Sequence, residues 1–241
     1  MPLTIDELAA LLPFAKRNAP DTYACMVLQS MAGLRILEAL NLRECDVDWK
    51  AGTIEITETA RHRPKNLYSF RTVPVPPMVL DALRWERKRT KVKSAEGFIL
   101  ANSRGGPHDH NNLGERIRKV LKRISRETGS PGFAQLRPRD LRATFITLAR
   151  QAGVDERCLK RYVDHSPGDT MGTHYEAVTV DDMRTRVVDA FLGAYGEKLN
   201  AAMAPSCCTI AAQRHDASVG AEAVSQVIRV AGEGGFEPPT F

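Results

Sequence analysis

Apolar residues recur three and four positions apart through most of the chain and alternate in one short region, so the pattern predicts helices around a small sheet. Thr4-Ile-Asp-Glu7 has the form of a capping box, with Leu3 and Leu8 placed as a hydrophobic staple, and opens a helix to about Arg17. Pro20-Asp21 opens a second helix, Thr22 to Ala32, that is apolar nearly all round and is expected to be buried. Gly33 interrupts it, and Leu34 to Leu40 starts a third. Asp46 to Gly52 reads as a turn. Thr53 to Thr57 alternates like a strand, and Phe70 to Val75 reads as its partner, with Pro74 marking an edge or strand end. Pro77 to about Thr90 is an amphipathic helix, Phe98-Ile-Leu100 a short strand, and Asn111/Asn112 the cap of a long helix to about Thr128. Leu141, Phe145, Leu148, Ala149 and Ala152 mark the core side of another helix, ended by Gly153. A short helix from about Asp155 to Val163 follows, and a last one from Asp181 to Ala194 carries Met183, Val187, Val188 and Phe191 on one side. The expected class is α+β, mostly α-helical, with a small antiparallel β-sheet or hairpin near residues 53–75.

Composition bounds this picture. The chain has 241 residues, enough for one large domain or a domain with a tail. From Gly196 onward the residues shift to Ala, Ser, Gly, Thr and Pro, so 1–195 is expected to be one domain and 196–241 a largely disordered tail, with a weak helix near 219–231. Hydrophobic residues make up 43% but aromatics only 6%, which predicts a mostly aliphatic core. No apolar run approaches a membrane span, and the N-terminus does not have the form of a signal peptide. The five cysteines (Cys25, Cys45, Cys158, Cys207, Cys208) lack metal-ligand spacing and read as reduced cytosolic thiols.

The net charge of +5 is modest but clustered. Residues 84–93 hold six Lys/Arg (Arg84, Arg87, Lys88, Arg89, Lys91, Lys93), and residues 116–126 hold six more (Arg116, Arg118, Lys119, Lys122, Arg123, Arg126). Such clusters suit a polyanion; they equally suit solvated helix faces.

Individual cations carry more information. Arg142 lies at the edge of the apolar stripe of its helix, where a half-buried guanidinium can grip an oxyanion in two-pronged fashion. Arg35 stands between Leu34 and Ile36 beside a buried helix. It is read either as an ion pair with Glu38, three residues on, or as an arginine pointing into a cleft and fixed by Glu38 or backbone. The segment joining the two strands carries Arg61, His62, Arg63 and Lys65, a basic tip or a solvated loop. His108 and His110 have chelate spacing without an evident third ligand, so no metal is expected.

In order, Ala32-Gly-Leu-Arg35-Ile-Leu-Glu38-Ala-Leu-Asn-Leu-Arg-Glu-Cys-Asp46, Pro64-Lys65 before Phe70-Arg-Thr-Val-Pro74, Arg139-Asp-Leu-Arg142, Asp164-His165-Ser166 and His174-Tyr175 resemble the boxes of the tyrosine-recombinase (phage-integrase) catalytic domain. Five elements in the right order span residues 3 to about 195. The resemblance implies a tyrosine-recombinase catalytic fold and an enzyme for site-specific recombination, the integration or excision of a mobile element. In that chemistry Tyr175 attacks a DNA phosphodiester to give a 3′-phosphotyrosine and a free 5′-hydroxyl. Arg35 and Arg142 hold the non-bridging oxygens, Lys65 protonates the leaving 5′-oxygen, and His165 hydrogen-bonds the phosphate. The second box is usually His-x-x-Arg; Arg139 stands where the family has histidine, supplying charge but no proton acceptor near neutral pH. The resemblance further implies no cofactor and no metal, double-stranded DNA as partner, a homo-tetramer on DNA, accessory DNA-bending or directionality proteins, no membrane, and a cytoplasmic place. The family's N-terminal core-binding domain is expected to be absent from this chain. Together with Arg139, that leaves a second reading, a DNA-binding integrase remnant impaired in cleavage; a type IB topoisomerase-like relaxer would share the chemistry.

The tail adds one more expectation. Gly235-Phe-Glu-Pro238 can be encoded by GGATTCGAACC followed by one further base, the complement of the T-arm of tRNA genes. Integrative elements often insert at tRNA 3′ ends, so the frame reads either as running into an attachment site or as a chance low-complexity tail.

Overall fold

The second helix forms the centre of the structure, a computed structural model that describes residues 2–57, 70–92, 94–164 and 178–204. α2 (Pro20–Met31) is buried from Thr22 to Met31. Two of its buried hydroxyls are satisfied locally: Thr22 donates to the carbonyl of Ala19, the residue before the helix, at 2.8 Å and Ser30 to the Met26 carbonyl at 2.7 Å. Around it pack α1 (Ile5–Asn18), α3 (Ile36–Leu40), α4 (Pro77–Arg89), α5 (His110–Thr128) and α7 (Pro138–Gln151). The Thr4/Glu7 capping box forms as expected, and the Leu3 amide donates to Thr144 Oγ1, tying the start of the chain to α7.

The sheet is antiparallel and three-stranded, in the order β1 (Val47–Asp48), β2 (Thr53–Ile56), β3 (Arg71–Pro74). The β2–β3 pairing is legible in the alternation; β1 is not, because a two-residue strand carries no periodicity. The register sets Ile54 opposite Val73 and Ile56 opposite Arg71, which puts Arg71 on the buried face.

Four local expectations are corrected. Phe98–Leu100 forms no strand: Phe98 makes a single isolated bridge with Arg43. The cap of α5 is Asp109, whose carboxylate accepts from the Asn112 amide at 2.9 Å, and the helix starts at His110, ahead of Asn111. The third helix starts at Ile36, with Arg35 extended at its N-cap, because Gly33 at φ +61° turns the chain sharply after α2. The last helical region does not stop at Ala194. It comprises α9 (Val180–Met183), a π-helical stretch Arg184–Asp189 and α10 (Ala190–Met203), since Leu199 and Met203 still find apolar cover beyond the change in composition. A short helix, α6 (Gly132–Gln135), lies between α5 and α7. The remaining helix, α8 (Glu156–Tyr162), follows α7 and is capped by Asp155.

Candidate active site

Gly33 fixes the geometry of the site from below. Its φ of +61° is in the left-handed region, and a Cβ there would lie 2.6 Å from Phe145 Cδ1 and 3.1 Å from Val163 Cγ1. Only glycine lets the end of α2 lie against α7 and the end of α8. That approach brings Arg35, at the start of α3, close to Arg142 on α7.

Three arginines meet one carboxylate. Glu38, with its side chain 2% exposed, accepts from Arg71 Nη1 at 3.2 Å and Nη2 at 3.1 Å, and from Arg35 Nη1 at 2.9 Å. Its Oε2 also accepts from the Arg35 backbone amide at 2.8 Å and lies 3.9 Å from Arg142 Nη1. The ion pair of Arg35 with Glu38 forms, and it fixes an arginine whose side chain stays 42% exposed.

The same arginines cap α8. Its terminal carbonyls have no partner within the helix. Tyr162 O accepts from Arg71 Nε at 2.9 Å, Val163 O from Arg142 Nη2, and Asp164 O from Arg35 Nη2 at 3.0 Å. Arg142 also donates to the Gly33 carbonyl at 2.6 Å. The Asp164 carboxylate accepts from Arg35 Nη1 at 2.7 Å. Consecutive residues at the end of α8 are thus each held by a different arginine, and His165 comes next in the chain.

The electrostatics follow from this packing. Burial by itself would raise the Glu38 carboxyl, but the Arg71 charge and the bonds from Arg71 and Arg35 outweigh it and hold the group below its ordinary range. Burial works against Arg35 too, yet the bond to Asp164 and the Glu38 charge raise its pKa. Arg142 behaves oppositely beside the same carboxylate: burial, helped by the Arg35 charge, pushes it down to about 10, which leaves it cationic at neutral pH. Among the described residues, three guanidiniums against the carboxylates of Glu38 and Asp164 leave one net positive charge. A half-open cluster with surplus positive charge is a place for an oxyanion.

The model of the phage integrase family matches residues 2–181. The chain belongs to the phage integrase family. The curated relatives of this integrase-family chain include tyrosine recombinase XerA of Thermococcus kodakarensis, 28% identical over 182 residues, covering 76% of this chain and 60% of that protein. Tyrosine recombinase XerC of Oceanobacillus iheyensis is 28% identical over 172 residues, covering 69% of this chain and 52% of that protein. The chain thus spans between about half and three fifths of the length of these relatives. Among solved structures, the Tn1549 transposon integrase in complex with circular intermediate DNA aligns with a TM-score of 0.59 at 22% identity, over 77% of this chain and 64% of that one. A XerA recombinase crystal structure aligns with a TM-score of 0.57 at 22% identity, with the same coverage. The fold is that of tyrosine-recombinase catalytic domains: mostly helical, with a small antiparallel sheet.

Of the residues singled out in the integrase boxes, Arg35 and Arg142 come together around Glu38. Arg139 does not join them; its side chain is 74% exposed, with Asp140 as a neighbour at 4.0 Å. Lys65, His165 and Tyr175 lie outside the described residues. Their flanks are described: β2 and β3 end on either side of the segment that holds Lys65, and Asp164 precedes His165.

Two members of the cluster go unread in the sequence, Arg71 and the Asp164 side chain. A signal for Arg71 is available: period-two alternation puts it on one face with Val73 and Val75, an inward position that demands a carboxylate partner. Asp164 gives no local signal, because its partner Arg35 is remote in sequence.

The basic helices are less bare than the composition suggests. Arg84, Arg87 and Arg89 pair with Asp81, Glu44 and Glu86; Arg116, Arg118 and Arg123 pair with Asp21, Glu115 and Glu127. Lys88, Lys91, Lys119, Lys122 and Arg126 form no ion pair among the described residues. No helix among the described residues is long and apolar enough to cross a membrane.

Proposed function

We propose that this chain is the catalytic part of a site-specific recombinase that cleaves and rejoins double-stranded DNA through a 3′-phosphotyrosine at Tyr175. The observation that carries this reading is the convergence of Arg35 and Arg142, with Arg71, on Glu38, with one net positive charge left over among the described residues and Arg35 half-exposed. Two guanidiniums fixed before substrate arrives stabilise the extra negative charge of a pentacoordinate phosphorus without reorganising. The Tyr175 oxygen forms a bond to phosphorus and the bond from phosphorus to the 5′-oxygen breaks. Lys65 gives its proton to that 5′-oxygen, and the phenol proton leaves to solvent, because Arg139 cannot accept it near neutral pH. His165 hydrogen-bonds the phosphate. A 5′-hydroxyl from another strand then reverses the step.

Tyr175 is the tyrosine that the integrase boxes assign to the role; Tyr68, like Tyr175, lies outside the described residues, and the other three are engaged elsewhere. Tyr23 is buried, and its hydroxyl is pushed up to about 12 by burial and by Asp81. Tyr162 is fully buried and donates to the Pro74 carbonyl at 2.7 Å, so it holds α8 to the sheet. Tyr195 packs edge-on against Phe191.

On this reading 1–195 is the catalytic domain, extended by the rest of α10. The protein works as a tetramer on DNA, with accessory bending or directionality proteins, in the cytoplasm. The unpaired lysines of α4 and α5 add phosphate contacts that anchor without reading sequence. Double-stranded DNA as the partner is supported by the Tn1549 transposon integrase, a protein of similar fold whose structure holds circular intermediate DNA.

The test is a suicide substrate: nicked duplex DNA carrying the junction sequence that flanks the gene, incubated with protein and run on a denaturing gel. A slow band from the wild type and none from Tyr175→Phe is the expected result. Binding by gel shift with no covalent band from the wild type would replace this reading with that of a binding-only remnant.

A further inference from the structure

The hydrogens of Arg35 can be accounted for one by one. Nη1 donates to Glu38 Oε1 at 2.9 Å and to Asp164 Oδ2 at 2.7 Å, which uses both of its hydrogens. Nη2 donates once, to Asp164 O at 3.0 Å. Asp164 therefore takes the Nη1–Nη2 end of the guanidinium with two different oxygens. Among the described residues, nothing takes Nε–H or the second hydrogen of Nη2, the side edge of the fork, on a side chain that is 42% exposed. That edge matches two oxygens of a phosphate in the bidentate geometry.

Asp164 is in this place under constraint. Its φ of +51° makes it the one non-glycine in the left-handed region among the described residues. Aspartate tolerates that region better than most residues but still at a cost that glycine would not incur. A bare turn would be served by glycine. The carboxylate adds a hold on Arg35 that glycine cannot make, and it is nearly buried, with the side chain 4% exposed.

We infer that Asp164 is a positioning residue: its carboxylate and carbonyl clamp one end of the Arg35 guanidinium so that the side edge alone faces the scissile phosphate. The inference rests on the proposed recombinase reading for its substrate but not for its geometry. Removing the carboxylate has two separable effects. It leaves the site more positive, so a phosphate binds as well as before or better. It also lets the guanidinium rotate, so fewer bound phosphates are held for in-line attack and the rate falls.

Asp164→Gly isolates the carboxylate, because glycine keeps the left-handed turn. Asp164→Asn keeps the turn and an acceptor oxygen for Nη1 but no charge. The full chain is used throughout. With saturating suicide substrate, Asp164→Gly is expected to cleave about tenfold more slowly than wild type with DNA affinity undiminished, and Asp164→Asn to recover most of that loss. In ¹⁵N–¹H spectra of the arginine side chains, the Arg35 Nε–H signal is expected to be sharp in the wild type and in Asp164→Asn and broadened in Asp164→Gly. It should shift on titration with inorganic phosphate in all three proteins. Cleavage by Asp164→Gly at or above the wild-type rate, Asp164→Asn no better than Asp164→Gly, or an unbroadened signal in Asp164→Gly would each overturn the inference. If the wild type gives no covalent product while the spectra follow the expected pattern, the recombinase reading fails and the clamp stands.

Discussion

Arg71 and Glu38 form a bidentate pair, at 3.1 and 3.2 Å, whose side chains are 1% and 2% exposed. An arginine on a strand thereby sets the carboxylate that orients Arg35 and lies within 4 Å of Arg142. Removing one partner of such a pair leaves the other buried without its main counter-charge. Arg71→Ala is therefore expected to destabilise the fold by about 3–5 kcal/mol in urea unfolding. A loss below about 1 kcal/mol would show that the pair is not the internal support described.

The same carboxylate gives stability a pH dependence. Its pKa in the fold lies below the ordinary 4.5 that it regains on unfolding. A depressed carboxyl contributes stability that is complete above the unfolded value and is lost as pH falls through the folded one. The wild type should lose stability on acidification below about pH 4.5, and Glu38→Gln, less stable at neutral pH, should show a shallower acid slope. Urea midpoints at several pH values between neutrality and pH 3 would read this directly. Parallel slopes for the two proteins would contradict it.

Gly33 is expected to tolerate no side chain. Gly33→Ala places a Cβ 2.6 Å from Phe145 in a conformation that alanine rarely adopts. A destabilisation of about 2–4 kcal/mol should result, measured by thermal or urea unfolding. Because the Gly33 carbonyl receives Arg142, cleavage should also fall at temperatures where the variant remains folded.

Arg139 is exposed and makes no close ion pair, so its replacement should leave stability nearly unchanged, within about 0.5 kcal/mol. Arg139→His restores a proton acceptor near neutral pH at a position where the family has one. Single-turnover covalent trapping is expected to rise about tenfold or more in Arg139→His. An unaltered rate would mean that proton transfer at that position does not limit cleavage.

The helices are legible in the sequence because their apolar stripes are long and repeat, and the β2–β3 pairing because alternation is its own signature. Arg35 and Arg142 are legible as cations set against apolar surface. The cluster that joins them is not legible in full. Glu38 is local to Arg35 and reads as its partner, whereas Arg71 and Asp164 reach the same place through the sheet and the end of α8. Short elements are hidden for the same reason: β1, α6 and the α5 cap at Asp109 are set by contacts made elsewhere in the fold. The break at Gly196 misleads because composition changes there while the packing of α10 continues to Met203.

In the proposed function Tyr175 becomes covalently joined to DNA. The most direct measurement is mass spectrometry of the peptide containing Tyr175, after trapping on a suicide substrate and nuclease digestion. The expected result is a 3′-phosphonucleotide on Tyr175, and none on that peptide when Arg35 or Arg142 is replaced by alanine. An adduct on another residue, or none from wild-type protein that binds the DNA, would contradict it.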